Sequence, residues 1–356
     1  MNVTNENQHY VSRVLLARFK RPGSPLHCFD VESYQWKPRS LEKACSAVGY
    51  NQWMVAGVAE NTFETCFSQV ESHLPKTFRA LERAATIRGT TTLDPKVYEN
   101  IGRYCTMLKL SSPAAKAGAV ASITIQVNWE VENDKRSLLR ELEVPEEVIT
   151  RWKHELALGR RLIVETGNIA QWAFRLHYAR ICDVQFAEFL RSDWTISESP
   201  IDLPISDIGL VPIHLTDLKA NQYLLPISPK LLLEGIHYFD QARNSREPKI
   251  SGHRLSQQEA EYRLESICLS AASEIIATRQ DPRISQCFER RDRGQSDVLF
   301  HKVANPKVVT SAGMKNSDGR FCLRTVTTEE YRQYVHSFVI PSPARKPNEN
   351  SSPTSP

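Results

Sequence analysis

Val184-Gln185-Phe186-Ala187-Glu188-Phe189-Leu190, then Trp194-Thr195-Ile196-Ser197-Glu198-Ser199-Pro200-Ile201, is the stretch where the chain changes rhythm. Upstream, apolar residues recur every three or four positions over long runs. From here they fall in short runs bounded by Pro, Asp or Ser, which is the pattern of β-strands. The spacing predicts strands over 184–190, 194–196 and, before Pro226, 223–225. These make a small sheet in the second half of the chain and decide for an α+β fold over an all-helical one.

Outward from that stretch the chain reads as helical. Phe63, Phe67, Val70, Leu74, Phe78 and Leu81 form a stripe at helical spacing over 59–85, with Pro75 expected to kink the helix. Asp94-Pro95 supplies an N-cap and a first-turn proline for a helix over 95–110, which Ser111-Ser112-Pro113 stops. Residues 114–132 predict a further helix, and 145–178 predict one long helix or two broken near Gly167. At the N-terminus, Tyr10, Val11, Val14, Leu15 and Phe19 predict a helix over 10–19, followed by a β-hairpin from residues 26–31 and 34–36. Past the strands, residues 241–256 predict a surface loop, 259–278 a helix and 341–356 a disordered tail. The expected whole is α+β and predominantly helical: a helical array with an N-terminal hairpin and a small mid-to-C-terminal sheet, as a single domain over 1–340.

Composition excludes more than it assigns. With 356 residues, 41% apolar and 24% charged, the chain is ordinary globular material. No apolar run approaches the roughly 20 residues of a membrane span, and the first residues lack a signal peptide's pattern, so a cytoplasmic protein with no membrane partner is expected. The eight cysteines show no Cys-x-x-Cys pair or zinc-finger spacing and read as buried thiols. Net charge is +4, but residues 279–346 hold 13 Lys/Arg against 7 Asp/Glu. Arg290, Arg291, Arg293, Lys302 and Lys307 there make a nucleic-acid partner possible. No P-loop, G-x-G-x-x-G, H-E-x-x-H, G-x-S-x-G or EF-hand pattern occurs, which removes the enzyme classes those motifs define.

Three polar sets remain. Gln8 and His9 head the first apolar stripe; at a helix start the dipole favours neutral imidazole, able to accept a proton or bind a metal, and the same pair could simply cap the helix. Glu60, Glu64 and Glu71 lie within about 40° of one another on a helix and could bind a divalent ion or share a proton, or be solvated. Ser197, Glu198 and Ser199 end a strand at a chain reversal, where they could reach a ligand or satisfy their own turn.

Taken in order, Gln8-His9-Tyr10-Val11 with Leu15 or Leu16 and Phe19, the hairpin, the glutamate-bearing helix, Trp194 to Ile201, and Leu225-Pro226-Ile227-Ser228-Pro229 resemble the family called domain of unknown function 4238, over about residues 7–280. Ser12 stands where that family usually has proline, Glu198 where it has aspartate, and Leu110 where an arginine is common. The resemblance implies no activity; it implies that His9, a helix carboxylate and Glu198 converge on one site. Two functional readings follow. The favoured one is a non-catalytic binding or regulatory protein with a polar network at His9 and Glu198. The alternative is a phosphodiesterase or nuclease dependent on Mg²⁺ or Mn²⁺, with His9 and Glu198 catalytic, Glu64 and Glu71 metal-binding, and Gln8, Ser197 and the arginines binding substrate.

Overall fold

The computed structural model describes residues 7–48, 50, 53–55, 58–60, 62–141, 144, 146–164, 182–215, 217–239, 247–293, 295 and 323–331. The chain starts as a strand, β1 (Asn7–His9), paired antiparallel with β4 (Ser46–Val48) so that Gln8 faces Ala47 and His9 faces Ser46. The helix expected over 10–19 begins only at α1 (Arg13–Leu16) and tightens into a 3-10 turn over Ala17–Phe19. Ser12 is the reason: its hydroxyl accepts from the Val14 N–H at 3.2 Å and caps the helix there, leaving residues 7–9 to a sheet. Between these strands lies the expected hairpin, β2 (Leu26–Asp30) and β3 (Gln35–Arg39). A second small hairpin joins β5 (Trp53–Val55) to β6 (Val58–Glu60).

Next come α2 (Thr62–Thr86), which runs through Pro75, then β7 (Gly89–Thr92), α3 (Pro95–Ser111) and α4 (Pro113–Glu132). Asp94 caps α3 as its sequence predicts, and Ser112, expected only to stop that helix, also caps α4. Two short helices follow, α5 (Ser137–Glu141) and α6 (Glu146–Ala157). The long helix expected over 145–178 therefore stops at Ala157; Gly159 turns the chain at φ +75°, and β8 (Arg161–Val164) begins. The rest of that prediction lies outside the described residues.

Residues 182–191 form a helix, α7, where the spacing predicted a strand. Seven residues with apolar side chains at 184, 186, 187, 189 and 190 fit either period, and packing decides. Phe186 and Leu190 close on Gly102 of α3, a contact that a helix makes with both residues on one side. The strands follow: β9 (Asp193–Glu198), β10 (Ile205–Ser206), β11 (Val211–Leu215), β12 (Ala220–Ser228), β13 (Leu231–Tyr238) and β14 (Lys249–Arg254). The predicted surface loop thus contains an inner strand. Helix α8 (Gln257–Leu269) starts with a Ser256/Glu259 capping box and ends well before 278, giving way to β15 (Glu274–Ala277). Ile275 and Ile276 are both fully buried, one on each side of the strand, which a helix stripe and a doubly covered strand share in sequence. Then come α9 (Pro282–Asp292) and β16 (Leu323–Val326), which pairs with β8. The predicted tail over 341–356 lies outside the described residues.

The expectation of a predominantly helical fold with a small sheet is overturned. A six-stranded sheet, ordered β11-β12-β13-β9-β14-β7, forms the centre, and a four-stranded sheet, β10-β15-β2-β3, stands beside it. The fold is α+β with both kinds of element extensive. One face of the large sheet carries Trp194, Ile196, Tyr223, Leu225, Leu233 and Ile250 into a core shared with α1, α2 and α3. Its other face carries Val211, Leu224 and Leu232 into a second core with α8, α9 and Phe29 of β2. A third cluster joins α4, α5, α6 and β8. Two glycines permit the first packing: a Cβ on Gly235 would sit 2.7 Å from the Trp194 ring, and one on Gly252 would sit 2.0 Å from the Ile87 carbonyl oxygen at the end of α2. Among the described residues, no helix is long and apolar enough to cross a membrane.

Candidate functional site

The Gln8-to-Ser12 segment is a strap that joins β1 to α1, with Glu71 of α2 and Ser111 of α3 against it. Gln8, His9 and Tyr10 are buried. The His9 Nε2–H donates to the Leu41 carbonyl at 3.1 Å, and burial, aided by the charge of Arg13, holds the imidazole below its usual pKa against that bond. Its neutral form thus comes from desolvation rather than a helix dipole. The Tyr10 N–H donates to the Cys45 carbonyl at 3.0 Å, its carbonyl accepts from the Ser111 hydroxyl at 3.3 Å, and its ring packs on Tyr50 with centroids 4.8 Å apart. Beneath it, the Cys45 N–H donates to Glu274 at 2.6 Å. Asp207, fully buried, takes three backbone N–H bonds and the Ser273 hydroxyl.

The carboxylate expected beside His9 is partly there. The Ser12 hydroxyl bonds Glu71, whose pKa is pushed up first by burial and then by the charge of Glu64, with Arg13 opposing. His9 and Glu71 thus share Arg13 as a neighbour. Glu198 does not join them through any contact of its own: it is half exposed at the end of β9 and pairs with Arg88 at 3.2 Å. Ser197 points to the opposite face of the sheet, where it donates to Glu234 at 2.9 Å; Glu234 also accepts from Gln222 at 3.2 Å and Arg263 of α8 at 2.9 Å. Ser199 is bound into its own turn through the Ile201 carbonyl. The Glu60 side chain, Lys302 and Lys307 lie outside what is described. Among the described residues, no group of three or more His, Cys, Asp or Glu is arranged to hold a metal ion. The three arginines proposed for substrate, at the end of α9 and its C-cap, each have an ion-pair partner: Arg290 with Glu265 at 3.3 Å, Arg291 with Asp292 at 2.8 Å and Arg293 with Glu289 at 3.8 Å.

Residues that sequence reading passed over form a better concavity. Helices α2, α3 and α7 flank an open trough of about 790 Å³, within the usual size range of small-molecule sites. Its floor is α3, from Lys96 through Asn100 and Arg103 to Met107; Val70, His73 and Lys76 of α2 form one wall, and Cys182, Asp183 and Phe186 of α7 the other. Arg103 is spent on Glu99, at 2.5 Å, and lies over the Phe186 ring at 5.5 Å. Lys76 and Lys96 have no ion-pair partner among the described residues.

On the far side of α7 lies a second polar group, closed on itself. Glu188 accepts from the Tyr223 hydroxyl and from Asn221, and pairs with Lys109 at 3.5 Å; Lys109 also donates to Tyr223 at 3.1 Å and faces its ring at 5.0 Å. Burial lowers the Lys109 pKa while Glu188 raises it, and burial followed by Glu188 raises that of Tyr223. Every polar group there has a protein partner, so it reads as the pin that holds α7 to the sheet. Neither the trough nor this pin had a sequence signal beyond ordinary polar helix positions, and reading 184–190 as a strand hid both.

An α+β protein with two extensive sheets and a ligand-sized trough between three helices is the class that fold and site define. The chain belongs to the family described as Protein of unknown function (DUF4238), whose model matches residues 7–333, further than the 7–280 the motifs suggested. No curated protein matches it, and no solved structure does.

Proposed function

We propose that this chain is a non-catalytic protein of binding or regulatory role, in which the Gln8-to-Ser12 strap is scaffold and the trough between α2, α3 and α7 takes the ligand. The observation that carries the reading is the trough itself: a concavity of about 790 Å³ lined by Lys76 and Lys96, neither with an ion-pair partner among the described residues. The polar residues first suspected of chemistry support the same division. His9, Ser12 and Ser197 are buried in bonds to the protein's own groups, and Glu198 is paired with Arg88. A metal-dependent nuclease needs several ligands around one ion, and the described residues offer no such group.

The two readings separate in thermal melts. For the binding protein, curves with EDTA and with added Mn²⁺ superimpose, and His9→Ala costs about 1–3 kcal/mol by stranding the Leu41 carbonyl. Mn²⁺-dependent cleavage of nucleic acid that vanishes in both His9→Ala and Glu198→Ala, with folding retained, would overturn the proposal.

A further inference from the structure

We infer that the trough selects an amphipathic organic anion, with a carboxylate or phosphate head at the Lys76 and Lys96 end and an apolar body lying toward Met107; this rests on the binding role proposed above. The orientation follows from the helix packing. Tyr104 of α3 meets both Phe67 and Phe78 of α2, at 6.5 and 6.3 Å, and Leu81 shares a small internal cavity with Ile101. Chain reversal through β7 therefore sets the two helices antiparallel, with Lys76 toward the start of α3 and Cys66 toward its end. Helix α7 crosses in the same sense: Tyr98 donates to the Leu190 and Ser192 carbonyls, while Phe186 sits over Arg103, which carries Cys182 toward Thr106 and Met107.

The two ends thus differ in chemistry. At one, Lys96 sits in the first turn of the 17-residue α3, where the helix dipole adds to its charge, and Lys76 lines the trough from the α2 wall. At the other lie Cys66, Met107 and Cys182, soft sulfur groups with little hydration to lose. Asp183 is the one carboxylate of the lining other than Glu99, and Glu99 is held by Arg103. The cations at the head end are therefore not cancelled by the lining, and an anion there gains charge-assisted hydrogen bonds that a neutral head does not. Val70, Val97 and Phe186 provide the apolar contact between the ends.

The test uses the full chain and the fluorescent dye anilinonaphthalene sulfonate, displaced by dodecanoate, dodecyl phosphate or dodecanol. Both anions are expected to displace the dye saturably and dodecanol not. Lys76→Gln with Lys96→Gln should weaken dodecanoate roughly tenfold at an unchanged melting temperature. Asn100→Trp, or Gln69→Trp should the first misfold, should obstruct the trough and abolish displacement. Failure of dodecanoate to displace the dye, dodecanol competing as well as dodecanoate, or full affinity in the double lysine variant overturns the ligand class and leaves the binding role standing. Undiminished binding in a folded tryptophan variant overturns both.

Discussion

At the N-terminal strap, the His9 ring, the Ser12 hydroxyl and both backbone groups of Tyr10 all have protein partners, none longer than 3.3 Å, whereas in the trough Lys76 and Lys96 have no ion-pair partner among the described residues. The two regions touch through α2: Glu71 reaches Ser12 of the strap, and Val70 and His73 beside it line the trough. The difference teaches where to look for function in a chain of this kind. A conspicuous polar motif buried at the start of a fold can be a packing device, since groups taken out of water must be bonded. Groups left in a concavity without partners are the ones that can still exchange water for a ligand.

Substitution at Gly252 tests that contrast most severely. A Cβ there meets the Ile87 carbonyl at 2.0 Å and the Ala84 carbonyl at 2.9 Å, both backbone, so α2 must move off the sheet. Gly252→Ala is expected to cost on the order of 4 kcal/mol in urea unfolding and to remove dye binding with it. A fully stable Gly252→Ala protein that still binds would break the link between the α2 anchor and the trough. Next in size, Tyr10→Ala removes the ring packed on Tyr50 and should cost roughly 3 kcal/mol, while the folded fraction keeps its dye affinity at low temperature. Affinity falling as far as stability would make the strap part of the site.

The smallest effect is electrostatic. The folded-state pKa of Glu71 lies above its unfolded value, so the folded chain binds that proton more tightly. The stability contributed is complete below the unfolded pKa and is lost as pH rises through the folded one. Glu71→Gln keeps an acceptor for Ser12 without the buried charge, so it should melt higher than the parent at about pH 8 and close to it at about pH 4. Equal offsets at the two pH values would show that burial does not hold the Glu71 carboxyl above its usual range.

Much of the fold was legible wherever local chemistry is decisive. Asp94-Pro95 marks a helix start because a cap acts within four residues; Ser112, which the spacing marks only as a stop, and Ser256, at the end of the expected loop, act by the same rule. The hairpin of β2 and β3 is local too, with Asp30 accepting from the Ser33 N–H at 2.8 Å in its turn. What was misread is non-local. Residues 7–9 become a strand only because residues 46–48 pair with them, 249–254 only because β9 and β7 flank them, and 274–277 only because both faces are covered. The site was hidden for the same reason. Lys76 and Lys96 are exposed helix positions, and only the placing of α7 beside them makes them part of a concavity; the expected company of His9 and Glu198 depended on contacts that the strands assign elsewhere.

Strand β14 lies parallel to β9 on one side and antiparallel to β7 on the other, so it alone connects the two. In time, this means that residues 62–111, which supply two of the three helices of the trough, leave the ribosome long before the strand that docks them does. Closing a pairing between residue 89 and residue 252 spends loop entropy late and slowly. During synthesis α3 can cover part of the apolar stripe of α2, but the end of α2 that meets Gly252 waits about 160 residues for its strand, a window in which a chaperone, or aggregation, competes with the sheet.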